Sequence, residues 1–142
     1  MVERREKPHY LPMQLAFVMT MSAMLGCSGG QESSVEGVVT LNGTPLSRGS
    51  VTFVPVEQGA SATAEIRANG RYVARTASTV GLKPGEYLVA VRAREDATPN
   101  PSGGAPAAGK LITPEKYGNS ATSGFRFSVN PGANEINLDL KS

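Results

Sequence analysis

Tryptophan is missing from this chain of 142 residues, which holds one histidine, His9, and one cysteine, Cys27. Everything after Cys27 therefore lacks the two residue types behind most metal sites and most nucleophile–base pairs. Aromatic residues are 6% of the chain, thin for a protein that stacks sugars or bases on its rings. Neither sign of charge dominates, since 14 Lys and Arg stand against 12 Asp and Glu for a net +2. Nucleic-acid steering and an acidic solvating tail both lack their charge signature. A lone cysteine closes no internal disulfide, so the fold must stand on its apolar core. Helical periodicity is also missing from Val35 to Ser142, because Gly or Pro interrupts every apolar stripe of ten or more residues there. What is abundant is turn chemistry, with 16 Gly and 10 Pro.

The first 26 residues read as an export signal. Arg4, Arg5 and Lys7 supply a basic start, and an apolar run from Leu11 to Leu25 follows, with no charge between Lys7 and Glu32. That run is shorter than a membrane-crossing helix requires and carries Pro12, Gln14, Thr20 and Ser22. It ends Ala23-Met24-Leu25-Gly26-Cys27, which resembles the lipobox of bacterial lipoproteins, with Met24 where leucine is usual. The resemblance implies cleavage before Cys27 and acylation of its thiol, hence firm anchoring, because a terminus bearing several chains does not leave the bilayer readily. Ser28, with no Asp beside it, resembles lipoproteins sorted to an outer membrane in a cell that has one. Residues 27–34 are then a lipidated Cys and a flexible polar tether.

From Val35 to Ser142 the apolar residues recur with a period of two, and seven short strands are predicted. They are Val35–Leu41, Ser50–Val56, Ala62–Arg67, Arg71–Thr76, Glu86–Arg92, Phe125–Val129 and a last one through Ile136, Leu138 and Leu140. Asn42-Gly43, Asn69-Gly70, Lys83-Pro84-Gly85 and Asn130-Pro131-Gly132 supply turns between them. A single antiparallel β-sandwich over residues 35–142 satisfies this pattern. Its expected core is Val35, Val39, Leu41, Val51, Phe53, Ile66, Tyr72, Tyr87, Val89, Val91, Phe125, Phe127, Val129, Ile136, Leu138 and Leu140.

Several of these pieces match a family. Glu36-Gly37-Val38-Val39, Asn42-Gly43-Thr44-Pro45-Leu46 and Gly49-Ser50-Val51-Thr52-Phe53 resemble the opening of carboxypeptidase-regulatory-like domains, which are transthyretin-like (prealbumin-type) sandwiches. Asn69-Gly70-Arg71-Tyr72 and Pro84-Gly85-Glu86-Tyr87-Leu88-Val89 resemble hairpins of the same family, and Pro114-Glu115-Lys116-Tyr117 is similar to small lipoproteins that carry it. The resemblance implies a seven-stranded fold and an accessory role without chemistry of its own.

No catalytic, cofactor or metal residue is assigned. Glu95 and Asp96 are adjacent and read as a solvated loop, and with Asn100 they are too few for a calcium loop. Arg67, Arg71 and Arg75 read as the wet face of a hairpin, and Asn42-Gly43-Thr44 as a turn rather than a glycan site. Asn137 lies where a self-crosslinking sandwich would place its asparagine, but Val35–Leu41 holds no lysine. The unusual stretch is Arg94–Ser123, 30 residues long with four prolines. Within it Pro99–Lys110 reads as a disordered spacer. Leu111, Ile112, Glu115, Lys116 and Tyr117 form either a lid over the open end of the sandwich or a contact for a partner protein. Two functions follow: a lipid-anchored, non-enzymatic module of the cell envelope acting through protein contacts, or a lipoprotein that binds a small ligand or carbohydrate. Neither needs nucleic acid.

Overall fold

The computed structural model describes residues 32–142, so the leader and Cys27 lie outside the described residues. The described chain is all-β. Eleven strands are joined by turns and one 3-10 helix, Glu115–Gly118. In order they are β1 (Ser33–Leu41), β2 (Thr44–Pro45), β3 (Ser50–Pro55), β4 (Ala62–Glu65), β5 (Arg71–Val73), β6 (Arg75–Thr76), β7 (Thr79–Val80), β8 (Gly85–Arg92), β9 (Phe125–Val129), β10 (Gly132–Glu135) and β11 (Leu138–Leu140).

Two sheets face each other. The first is built around β1, with β10 and β11 along one side and β2 and β5 along the other. The second runs β7-β6-β4-β3-β8-β9. The alternation seen in the sequence decides which face each strand buries: Tyr87, Val89 and Val91 of β8 are buried, while Glu86 and Arg92 are exposed. Thirteen of the sixteen expected core residues are buried, and Leu41, Phe125 and Phe127 are half-buried against them. The core also takes Leu46, Leu82, Tyr117 and the alanines Ala62, Ala64, Ala74 and Ala93.

The sandwich departs from the antiparallel expectation at one place. β1 pairs in parallel with both β10 and β11. The cause lies in β9, which ends where β8 begins (Val129 faces Gly85). That is also the end of the molecule where β1 starts, since Ser33 bridges Leu82 and pairs with Gly132. A chain turning there at Asn130-Pro131 enters the first sheet alongside β1 and runs with it. Alternation is blind to strand direction, so the sequence pattern could not carry this.

Three boundaries also moved. The first strand begins at Ser33, whose side chain is buried, two residues ahead of the expected start. The expected strand Arg71–Thr76 is divided at Ala74 because the chain changes sheets there, β5 pairing with β1 and β6 with β4. The last strand is divided at Ile136-Asn137, opposite Gly37. A Cβ on Gly37 would lie 1.9 Å from the Ile136 carbonyl oxygen, so only glycine fits. That carbonyl accepts a hydrogen bond from the buried Tyr72 hydroxyl at 2.6 Å.

Candidate functional site

The long segment Arg94–Ser123 separates into two parts with different chemistry. Its first part is a hairpin arm rather than a structureless spacer. Glu95 N donates to Lys110 O at 2.9 Å, and Thr98 and Ala107 exchange both backbone bonds at 3.0 Å. At the tip, Asn100 Oδ1 accepts from Ser102 N at 2.9 Å and Gly103 N donates to Asn100 O at 3.1 Å, an Asx-capped turn. Residues Pro99–Ala108 are exposed throughout. At the base Arg48 and Asp96 form an exposed ion pair at 2.5 Å, and Arg94 donates to Gly109 O at 3.1 Å. The Arg48 guanidinium holds the Asp96 carboxyl below the usual carboxylate range. Gly109 is obligatory, since a Cβ there would meet Glu95 O at 1.9 Å.

The second part folds back onto the core. Ile112 N donates to Ala93 O at 2.9 Å, and the buried Thr113 hydroxyl accepts from Ala93 N at 3.2 Å. Ile112 packs half-buried on the core, and Tyr117 is 6% exposed. The Tyr117 ring stacks on Phe125 at 5.4 Å, and its hydroxyl accepts from Lys141 N at 3.0 Å. Of the five residues proposed from sequence for a partner contact, Ile112 and Tyr117 thus seal the end of the sandwich and Leu111 is half-buried. Glu115 and Lys116 face solvent, with the Lys116 ammonium 4.8 Å from the Tyr117 ring centroid.

A groove occupies the opposite end. Its volume is about 460 Å³, and its walls come from the β3–β4 loop and the approach to β8, including Pro55, Val56, Glu57, Lys83, Pro84 and Tyr87. Val56 N donates to Glu86 O at 2.9 Å, which carries the β3–β8 ladder one residue past Pro55 and presents the Val56 side chain at the rim, 44% exposed. The Tyr87 hydroxyl donates to Lys83 O at 2.8 Å, and burial pushes its phenol pKa up. Thr76 Oγ1 donates to Gly81 O at 2.9 Å. Both hydroxyls are thus engaged by backbone carbonyls. Glu86 is ion-paired with Arg126, which leaves Glu57 and Lys83 as the charges at the opening. Pro55, Val56, Pro84 and Tyr87 thus give the groove apolar walls, with Glu57 and Lys83 as sparse charges among them. Sequence reasoning missed it because its walls lie far apart in the chain. The paired signals were Val54-Pro55-Val56, where a proline closes β3, and Lys83-Pro84-Gly85, where a proline leads into β8.

A second, shallower depression of about 400 Å³ lies on the outer face of the six-stranded sheet between Ser50, Thr52, Ala90, Arg92 and Ser120. Arg92 there donates to Gly118 O at 3.2 Å.

The remaining sequence candidates have structural partners or stand in solvent. Asn42 sits at φ 51° in the β1–β2 turn, and its amide nitrogen donates to Ser142 Oγ at 2.8 Å. Asn137 Oδ1 accepts from Val38 N at 2.9 Å. Arg67, Arg71 and Arg75 are exposed. Among the described residues, no three His, Cys, Asp or Glu side chains gather as a metal site would need, and no helix is long and apolar enough to cross a membrane. No known protein family, curated protein or solved structure matches the chain.

Proposed function

We propose that this is a lipid-anchored, non-enzymatic β-sandwich protein of the cell envelope that works through protein contacts. The anchor is Cys27, which follows a lipobox-like run; transthyretin-like topology and kinship with carboxypeptidase-regulatory-like domains belong to the same proposal. The observation that carries the contact reading is the hairpin arm. Arg94–Lys110 holds a defined shape through four backbone and side-chain anchors, yet buries nothing between Pro99 and Ala108. Ordered backbone with no core role is what a recognition element requires, because its ordering entropy is already spent before binding.

The start of β1, to which the tether leads, and the arm lie at opposite ends of the sandwich. Ser33, at the start of β1, is six residues from Cys27, a span of at most about 20 Å. The arm leaves the far end of β8, about 25 Å away for a strand of eight residues. A tethered domain then offers the arm, with Glu115 and Lys116 beside its base, to the aqueous compartment. An outer membrane is the proposed location in a cell that has two. Photocrosslinking from position 102 at the arm tip, in intact cells, tests this: a discrete adduct with one envelope protein is expected. Adducts equal to those from an exposed residue such as Glu65 would contradict it.

A second reading, small-ligand binding, draws on the groove volume of about 460 Å³, which lies within the range of ligand pockets. Thermal shift against a metabolite and glycan panel separates the two, since ligand at 100 times its Kd adds about 2.7 kcal/mol.

A further inference from the structure

The six-stranded sheet ends on β9, and among the described residues no strand pairs with its outer side. The direction of its free groups follows from the ladder. Val56 N bonds Glu86 O, so the even-numbered residues of β8 turn their backbone toward β3 and the odd-numbered ones toward β9. Tyr87 and Val89 therefore bond Phe127 and Phe125, and the N–H and C=O groups of Arg126 and Ser128 point outward. Both of these residues are exposed, and no backbone bond from either to a neighbouring loop is present among the described residues.

The inward face at this edge is aromatic and incompletely covered. Tyr117, Phe125 and Phe127 form a stacked row with centroid spacings of 5.4 and 6.2 Å, and Phe125 and Phe127 are only half-buried. A free edge with open apolar side chains is a template for an added strand. Proteins commonly blunt such edges with an inserted charge. Here Arg126 supplies one, but Glu86 of the neighbouring strand engages its guanidinium.

We propose that β9 is the interface with a second copy of this chain, the two β9 strands pairing antiparallel about a two-fold axis at Phe127. The sequence Phe125-Arg126-Phe127-Ser128-Val129 is self-complementary in that register. Arg126 faces Ser128 of the second copy, both through outward backbone groups, and Phe127 faces its own equivalent. Full overlap of the five residues uses every free backbone group of the edge. A two-fold axis one residue earlier would set two Arg126 side chains face to face, which like-charge repulsion disfavours. The result is one sheet running through both molecules, with the two aromatic rows meeting across the seam. This inference stands on β9 alone and is independent of the lipid anchor and of the arm.

The test uses the full chain in the cells that express it, with soluble and membrane fractions both read. Arg126→Cys and Ser128→Cys chains carrying different tags are co-expressed and oxidised. Facing residues in this register lie about 5.5 Å apart at Cα, within the reach of a disulfide. A disulfide joining the two tags is expected, and neither variant expressed alone should bridge beyond the unsubstituted chain, whose Cys27 sets the baseline. Ser128→Pro removes only an outward N–H, so it should abolish sedimentation of the detergent-purified chain as a dimer while leaving the melting temperature unchanged. Absence of the mixed bridge overturns the proposal. So does a bridge from Ser128→Cys alone, which demands another register, or a bridge from either cysteine to a different protein.

Discussion

At the scale of single residues, the most informative contact is the one among Gly37, Tyr72 and Ile136. The break between β10 and β11 leaves the Ile136 carbonyl pointing into the sandwich, where Gly37 makes room for it and the Tyr72 hydroxyl satisfies it. Tyr72→Phe keeps the ring packed on Phe53 but strands that acceptor, at a cost of about 1–3 kcal/mol in urea unfolding. Gly37→Ala drives a methyl into backbone rather than into a side chain that could rotate away. A loss of about 3 kcal/mol or more is expected from the same measurement. Burial also raises the Tyr72 phenol pKa above its ordinary value near 10, because the ionised form would be stripped of water. With the folded pKa above the unfolded one, the stabilisation is complete below pH about 10 and declines as pH rises further, since the unfolded chain sheds the proton first. Unfolding followed from pH 8 to 11 should show that decline, and Tyr72→Phe should reduce it, leaving the part due to Tyr87.

Among elements, the contrast within Arg94–Ser123 makes the sharpest prediction. Tyr117→Ala removes a buried ring stacked on Phe125 and should cost roughly 3 kcal/mol, visible as a lower melting temperature. Replacing Pro99–Pro106 by Asn-Gly closes the arm directly above the Thr98–Ala107 pair. It should change stability by only about 1 kcal/mol, in the stabilising direction, through the shorter loop. Cutting as far as Lys110 is different, because Glu95 and Arg94 lose their partners at Lys110 and Gly109. The arm escaped sequence reading because its pairing is carried by backbone between alanines, prolines and glycines, whose side chains have no alternation to display. The strands were legible for the opposite reason: Tyr87, Val89 and Val91, or Val51 and Phe53, are large enough to mark a face. Ala62, Ala64 and Ala74 bury just as fully but carry no such mark. Phe125 and Phe127 alternate as core residues do, yet sit half-exposed because β9 is an edge, and edge position is a property of topology rather than of the strand's own sequence. The same limit hid the groove, which exists only once β3 and β8 are paired.

Across the whole molecule, the fold has a direction. Ser33, Leu82, Gly132 and the Pro55–Tyr87 groove share one end, while the arm, Tyr117 and the β1–β2 turn share the other. Tethering at Cys27 would convert that geometry into an orientation, with the groove near the bilayer and the arm reaching away from it. Within a short tether the effective concentration of neighbouring copies rises, which favours weak edge-to-edge contacts over those in free solution. The proposed location, and the orientation that follows from it, depend on the chemistry at one sulfur. Intact-mass analysis of the protein extracted from the membrane fraction is therefore the most direct measurement. The proposed account predicts a chain beginning at Cys27 with added acyl mass, and a Cys27→Ser variant that leaves the membrane fraction. A chain retaining residues 1–26, or an unmodified Cys27 in a protein still held by the membrane, would contradict it.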